Sequence, residues 1–209
     1  DILLSVDGTM TAEFGAVNEI LAYLHAEEGT EVNIEVKKAG SSENISLTIE
    51  RREIHQPSVF AYLVNEFPKI AVIDVNVIGA ETPNEIKAAI YGYQNEGVDQ
   101  FILDLQINYG GFLTEAVDIS RLFLTEGLIL QENSANGQVT DFEATEKGEF
   151  ADLSFVVLIN DQTASAAEII AGILQTYRDV TVIGSHSFGK NTIQLVFELD
   201  DLSSMHITH

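Results

Sequence analysis

Thr163-Ala164-Ser165-Ala166-Ala167-Glu168 places a serine among small residues where an apolar strand, Phe155 to Ile159, gives way to a helix. The first N–H groups of a helix have no partner within it. A Ser at that point can act as a nucleophile, with the next N–H forming part of an oxyanion hole, which is the arrangement of acyl transfer. The same position equally suits an ordinary N-cap. A second strand-to-helix junction, Asn108-Tyr109-Gly110-Gly111, carries paired glycines that let a substrate carbonyl or another main chain approach closely.

A serine nucleophile requires a base. Of the five histidines, His25 lies on a helix near the N-terminus, His55 in a linker, and His206 and His209 at the far end of the chain. His186 alone is placed to pair with Ser165, but nothing near it supplies the carboxylate of a triad. Lys190 is the better candidate, because it follows Phe188-Gly189 on a turn into an apolar strand, where burial favours the neutral amine. Taken alone, a Lys after a Gly is an ordinary surface-turn residue.

The elements that must position these groups alternate between strand and helix, which points to α/β architecture. Ile70 to Val77 reads as a strand. Thr82-Pro83-Asn84-Glu85 then offers an N-cap, a first-turn Pro and a capping-box acid for a helix running to about Asn95. Phe101 to Leu105 is a buried-type strand, and Leu113, Ala116, Val117, Ser120 and Leu124 mark the helix after it. Ile169, Ile170, Ile173, Leu174 and Tyr177 give the inward positions of the helix that follows Ser165. Val180 to Ile183, Ile193 to Phe197 and Met205 to Thr208 read as further strands.

The N-terminal region is a smaller unit. A strand runs into an Asp7-Gly8 turn, Phe14, Val17, Ile20, Leu21 and Leu24 recur with helical spacing, and Gly29 marks the stop. Val32, Ile34 and Val36 before a Gly40-Ser41-Ser42 turn, with Ile45, Leu47 and Ile49 after it, predict a hairpin. This is too little core for an independent domain, so the reading expects its N-terminal part to be missing.

The whole chain has 209 residues, 45% of them hydrophobic, with 10 basic and 33 acidic residues and a formal charge of −23. That charge repels nucleic acid and anionic lipid, and both are excluded as partners. The acid excess reads as a solvated surface rather than a cation site, and no motif calls for a metal or another cofactor. Without Cys there is no disulfide, thiol nucleophile or thiolate ligand. No segment reaches bilayer-spanning length and no signal peptide is visible, so any membrane attachment would come from segments outside this chain.

Together these segments resemble the carboxyl-terminal processing peptidases, Ser-Lys endopeptidases of peptidase family S41 that carry a PDZ domain beside the protease core. The family's S-A-S-A-S-E is matched at 163–168, its F-G-K-G-x-x-Q at Phe188-Gly189-Lys190-Asn191-Thr192-Ile193-Gln194, and its L-D-L-R-x-N-P-G-G at Leu103 to Gly111. The resemblance implies Ser165 as nucleophile, Lys190 as base, Gln194 as the residue that orients it, and an oxyanion hole from Ala166 with the Gly110-Gly111 loop. Gln106, Tyr109 and Asn191 depart from the family's Arg, Pro and Gly.

The implied fold is a crotonase/Clp-protease-like ββα core behind a partial PDZ-like unit. Residues 1–50 would be the later part of a PDZ domain, 51–66 a linker, and 67–209 an S41-type core cut short at its C-terminus. The implied partners are proteins or peptides recognised by their C-terminal tails, with homo-oligomers a further expectation. The implied location is the cell envelope or exterior of a bacterium. Two rivals stand beside the peptidase: a catalytically weak or inactive homologue that binds peptide tails, and a crotonase-like enzyme acting on acyl thioesters, for which Lys190 and Gln194 have no purpose.

Overall fold

A computed structural model describes the chain except Ser42, His55, Ala135, Asn191, Asp200, Asp201, Leu202 and His209; at Leu195 and Glu198 only the main chain is described. The expectations for Ser42, His55, Asn191 and His209 therefore fall outside the described residues. The chain divides into two compact units, Asp1–Gln56 and Pro57–His209.

In the first unit β1 (Ile2–Val6) turns through Asp7 and Gly8, both at positive φ, into the short β2 (Thr9–Met10). A 3-10 turn and helix α1 (Val17–Leu24) lead to β3 (Glu31–Lys37) and β4 (Asn44–Glu50), and the antiparallel sheet runs β2-β1-β3-β4. The predicted helix and hairpin are both present. The small core is present too: Ser5, Val6 and Val32 are its buried residues among those described, while the apolar side of β4, Ile45, Leu47 and Ile49, stays exposed. Arg51 ties α1 to β3 by donating to the carbonyls of Tyr23, Leu24 and Glu31 at 2.7–2.8 Å.

The second unit is built on a five-stranded sheet. Its elements in chain order are β5 (Val59–Val64), β6 (Phe67–Val75), α2 (Thr82–Asn95), β7 (Gln100–Asp104) and α3 (Leu113–Phe123). There follow β8 (Gly127–Asn133), β9 (Val139–Ala144), β10 (Phe155–Ile159), α4 (Ala166–Arg178), β11 (Val182–Gly184), β12 (Gln194–Glu198) and β13 (Ser204–Thr208). The sheet order is β11-β10-β7-β6-β5, parallel except for the antiparallel edge strand β5. Alternate residues of the strands, Ala71, Ile73 and Val75 with Phe101 and Leu103, share one apolar cluster with Ile86, Ile90, Phe123, Ile170 and Leu174 of the three helices. Parallel strands joined by helices leave their carboxyl ends and the following loops together at one edge, where the candidate residues lie.

Three sequence expectations need correction. The stretch 51–66 is not all linker, because Val59–Val64 forms β5, an edge strand paired with β6. Thr82 and Glu85 do not form a capping box. Thr82 is buried and its Oγ1 accepts the Gly79 N–H and shares a 2.6 Å hydrogen bond with Ser58, while Glu85 accepts from the Ser58 and Val59 amides. These groups brace the start of β5 instead. Finally, the region between α3 and β10, for which the sequence suggested no element, holds the β8–β9 hairpin.

Candidate active site

The nucleophile candidate sits on a sharp turn between β10 and α4. Ser165 has φ 56° and ψ −121°, outside the usual regions for a residue with a Cβ. Such an angle costs on the order of 1–3 kcal/mol and persists only where the surroundings enforce it. Here they do. The Ala164 N–H donates to Asn108 O at 2.9 Å, the Phe188 N–H to Thr163 O at 2.9 Å, and Thr163 Oγ1 to Leu105 O at 2.8 Å.

The loop after β7 is laced to the loop after β10. The Ile107 N–H donates to Asn160 Oδ1 at 3.1 Å, and the Tyr109 hydroxyl donates to Gln162 Oε1 at 2.5 Å. Asn108 is completely buried; its Nδ2 donates to Val75 O at 2.6 Å and its Oδ1 accepts the Gly110 N–H at 2.9 Å. Gly110 lies against the Ser165 turn so closely that a Cβ there would stand 2.8 Å from Ala164 O and 2.9 Å from Ser165 Cβ. A Cβ on Gly111 would fall 2.0 Å from Ile78 O. Both glycines are at positive φ. Among the described residues, the amides of Gly111 and Ala166 have no acceptor, whereas that of Gly110 is taken by Asn108.

Glu168 connects the turn carrying Ser165 to the turn carrying Lys190. Its Oε2 accepts the Ser165 N–H at 2.7 Å, as the acid of a capping box does, and the Lys190 N–H at 2.9 Å. Its Oε1 accepts from Ser187 Oγ and the Gly189 N–H, each at 2.7 Å. Burial alone would raise the carboxyl's pKa, but the hydrogen bonds from Ser187, Gly189, Ser165 and Lys190 outweigh it and hold the group below its ordinary value. The sequence contained the signal, an acid three residues after the Ser, but assigned it no role.

Lys190 is half-buried rather than enclosed, and its Nζ donates to Gln194 Oε1 at 3.4 Å. Ser165, Lys190 and Gln194 line one cavity of about 520 Å³, together with Gly111 and Ala166. Its apolar walls include Phe112, Ile169 and Ile193. All the predicted residues except Gly110 thus border the same space, and Gly110 is buried against the turn that carries Ser165. His186 is exposed and does not line the cavity. His206 does, because pairing of β12 with β13 sets it opposite Val196. Nothing local in the sequence could have indicated this, since it depends on the hairpin register.

The family profile described as "Peptidase family S41" matches residues 69–209. The chain is 35% identical over its full length to the carboxyl-terminal-processing protease of Synechocystis sp., covering 49% of that protein. It is likewise 35% identical to the carboxy-terminal processing protease CtpA of Bacillus subtilis, covering 44% of it. The chain therefore spans about half the length of the curated relatives it matches. Among solved structures, the photosystem II D1 C-terminal processing protease superposes with a TM-score of 0.61 at 23% identity, over 99% of this chain and 56% of that one. A putative S41 protease from Bacteroides fragilis gives 0.57 at 18% identity, over 99% and 59%. At those identities the structural likeness concerns the fold alone.

Proposed function

This chain belongs to peptidase family S41, and on that premise we propose that it is the core of a serine endopeptidase that processes proteins near their C-termini. The observation that carries the reading is Ser165 held at φ 56° in a cavity it shares with the hydrogen-bonded pair Lys190 and Gln194. A strained Ser at a strand-to-helix turn is how an exposed nucleophile is presented in other hydrolases.

In the proposed mechanism the neutral Lys190 amine takes the Ser165 Oγ proton as that oxygen attacks the peptide carbonyl carbon. The resulting oxyanion is held by the amides of Ala166 and Gly111. Gly110 supplies the close approach rather than a donor, because its own amide is bound to Asn108. Collapse breaks the C–N bond, and the Lys190 ammonium returns its proton to the leaving amine. Water, deprotonated in turn by Lys190, then attacks the acyl ester, releasing the new carboxylate and restoring Ser165. Gln194, which accepts from the amine at 3.4 Å, would orient it for these transfers.

The wider reading follows the family. The singly wound parallel sheet suits a crotonase-like core, and the strand, helix and hairpin of 1–50 suit the later part of a PDZ domain. The substrates would be polypeptides presented by their C-terminal tails. The site of action would be the bacterial cell envelope or exterior, and self-association would be possible through the same family architecture. No helix among the described residues is long and apolar enough to cross a membrane.

The test is cleavage of a tailed protein substrate by the intact protein, followed by mass spectrometry. Ser165→Ala and Lys190→Ala should each lower kcat by about a thousandfold or more. Unchanged cleavage by either variant overturns the assignment. A wild-type protein that binds tails without cutting them would establish the binding homologue instead.

A further inference from the structure

Three consecutive residues of β8, Leu130, Gln131 and Glu132, line the cavity that contains Ser165. Successive side chains of a strand point to opposite faces. A cavity bordered by a strand's face therefore touches every second residue, whereas contact with three in a row means that the strand meets the cavity along its edge. Gln194 and Val196 of β12 lie on the same face of the ribbon as His206, the cross-strand partner of Val196, and all three line the cavity.

β8 pairs with β9 and, among the described residues, with no other strand. On the side away from β9 its main-chain N–H and C=O groups form an unpaired row, which is the template onto which an extended peptide adds. That row borders the cavity that Ser165 also lines. The cavity also has the apolar lining and the volume, about 520 Å³, of a ligand site that takes a few residues at a time.

Resting on the peptidase reading above, we propose that the substrate polypeptide docks in extended form on the free edge of β8, as a third strand of the β8–β9 ribbon. Its side chains, rather than its main chain, then meet the face formed by Gln194, Val196 and His206. Recognition through the main chain tolerates many sequences and still fixes the scissile carbonyl relative to Ser165, which is the condition for attack. A peptide held only by its side chains in the apolar cavity would lack that register.

The discriminating experiment uses a peptide that the intact protein cleaves. A series of its variants carries one N-methyl group each, at successive positions from the second to the fifth residue before the scissile bond. N-methylation removes one N–H donor and restricts the chain in a similar way at every position. In an antiparallel pair only alternate residues direct their N–H at the partner strand. Alternate positions should therefore lose about tenfold or more in kcat/KM, with those between staying within about twofold. A flat profile, or equal loss throughout, overturns the docking proposal while leaving the peptidase intact. Absence of Ser165-dependent cleavage of the unmethylated parent overturns the peptidase reading and the docking proposal with it.

Discussion

Glu168 and Lys190 are joined across 22 residues of sequence by a 2.9 Å hydrogen bond from the lysine's amide to carboxylate oxygen Oε2, the same oxygen that accepts the Ser165 amide at 2.7 Å. One atom thus sets the spacing between the main chains of the proposed nucleophile and base. A hydrogen bond to a charged group is worth about 1.5–3 kcal/mol.

Glu168→Ala, which removes four acceptor contacts, should lower kcat by on the order of a hundredfold with a smaller change in KM, and should destabilise the fold by about 2–4 kcal/mol. Steady-state kinetics and thermal melts check both. The pH dependence follows from the lowered pKa. A carboxylate depressed in the folded state contributes stability that is complete above its ordinary value of 4.5 and is lost as pH falls through the folded value. Wild type should therefore lose stability on acidification below about 4.5 more steeply than Glu168→Ala.

The Tyr109 hydroxyl bonded to Gln162 joins the glycine loop to the loop before Ser165, at a position where the family pattern has Pro. Removing a neutral hydrogen bond of this kind costs about 1 kcal/mol. Tyr109→Phe should thus reduce kcat several-fold with KM nearly unchanged. Gln162→Ala should do the same, and the double variant should be no worse than either single one. Additive losses would show that the two side chains act separately.

Gly111→Ala introduces a Cβ that would lie 2.0 Å from Ile78 O, at a φ of 153°. The bridge between Ile78 and Gly111 must open to admit it. Cleavage should fall by about a hundredfold or more, the scale of losing one oxyanion donor. A Cβ on Gly92, an exposed position of α2, meets nothing within 4 Å and the residue is not at positive φ, so Gly92→Ala serves as a control, with a small gain in melting and no effect on cleavage.

Asp74 and Asp104 are adjacent across β6 and β7. Both have raised pKa values, chiefly from burial, and Asp104 adds repulsion at Asp74. For an acid raised in the folded state the sign reverses: the charged form is penalised, and stability declines as pH rises through the ordinary value of 3.8 towards the folded one. Asp74→Asn should therefore raise stability at neutral pH, by no more than about 1 kcal/mol because the groups are partly solvated and screened. The gain should vanish below about pH 3.5.

The sequence made some of this architecture legible and hid the rest for physical reasons. The helix beginning at Thr82 and the strand Phe155 to Ile159 stand where they were read, because a helical repeat and an unbroken apolar run survive any tertiary context. In β5 the exposed Phe60 and Tyr62 blur the alternation that marks a half-buried strand. β8 and β9 are rich in Glu, Asp and Gln, which masks their period. Candidate chemistry was legible because Ser165, Lys190 and Gln194 lie in two short segments. The lacing was not, since Tyr109 and Gln162 meet across 53 residues, a distance that only the folded chain closes.

The backbone angle at Ser165 also sets molecular durability against turnover. A glycine would occupy φ 56° without strain, so Ser165→Gly relieves a local cost as it deletes the proposed nucleophile. Heat tolerance and catalysis pull this position in opposite directions. A screen for thermostable variants of this protein, run without an activity filter, would favour variants at residue 165 that lack the proposed nucleophile.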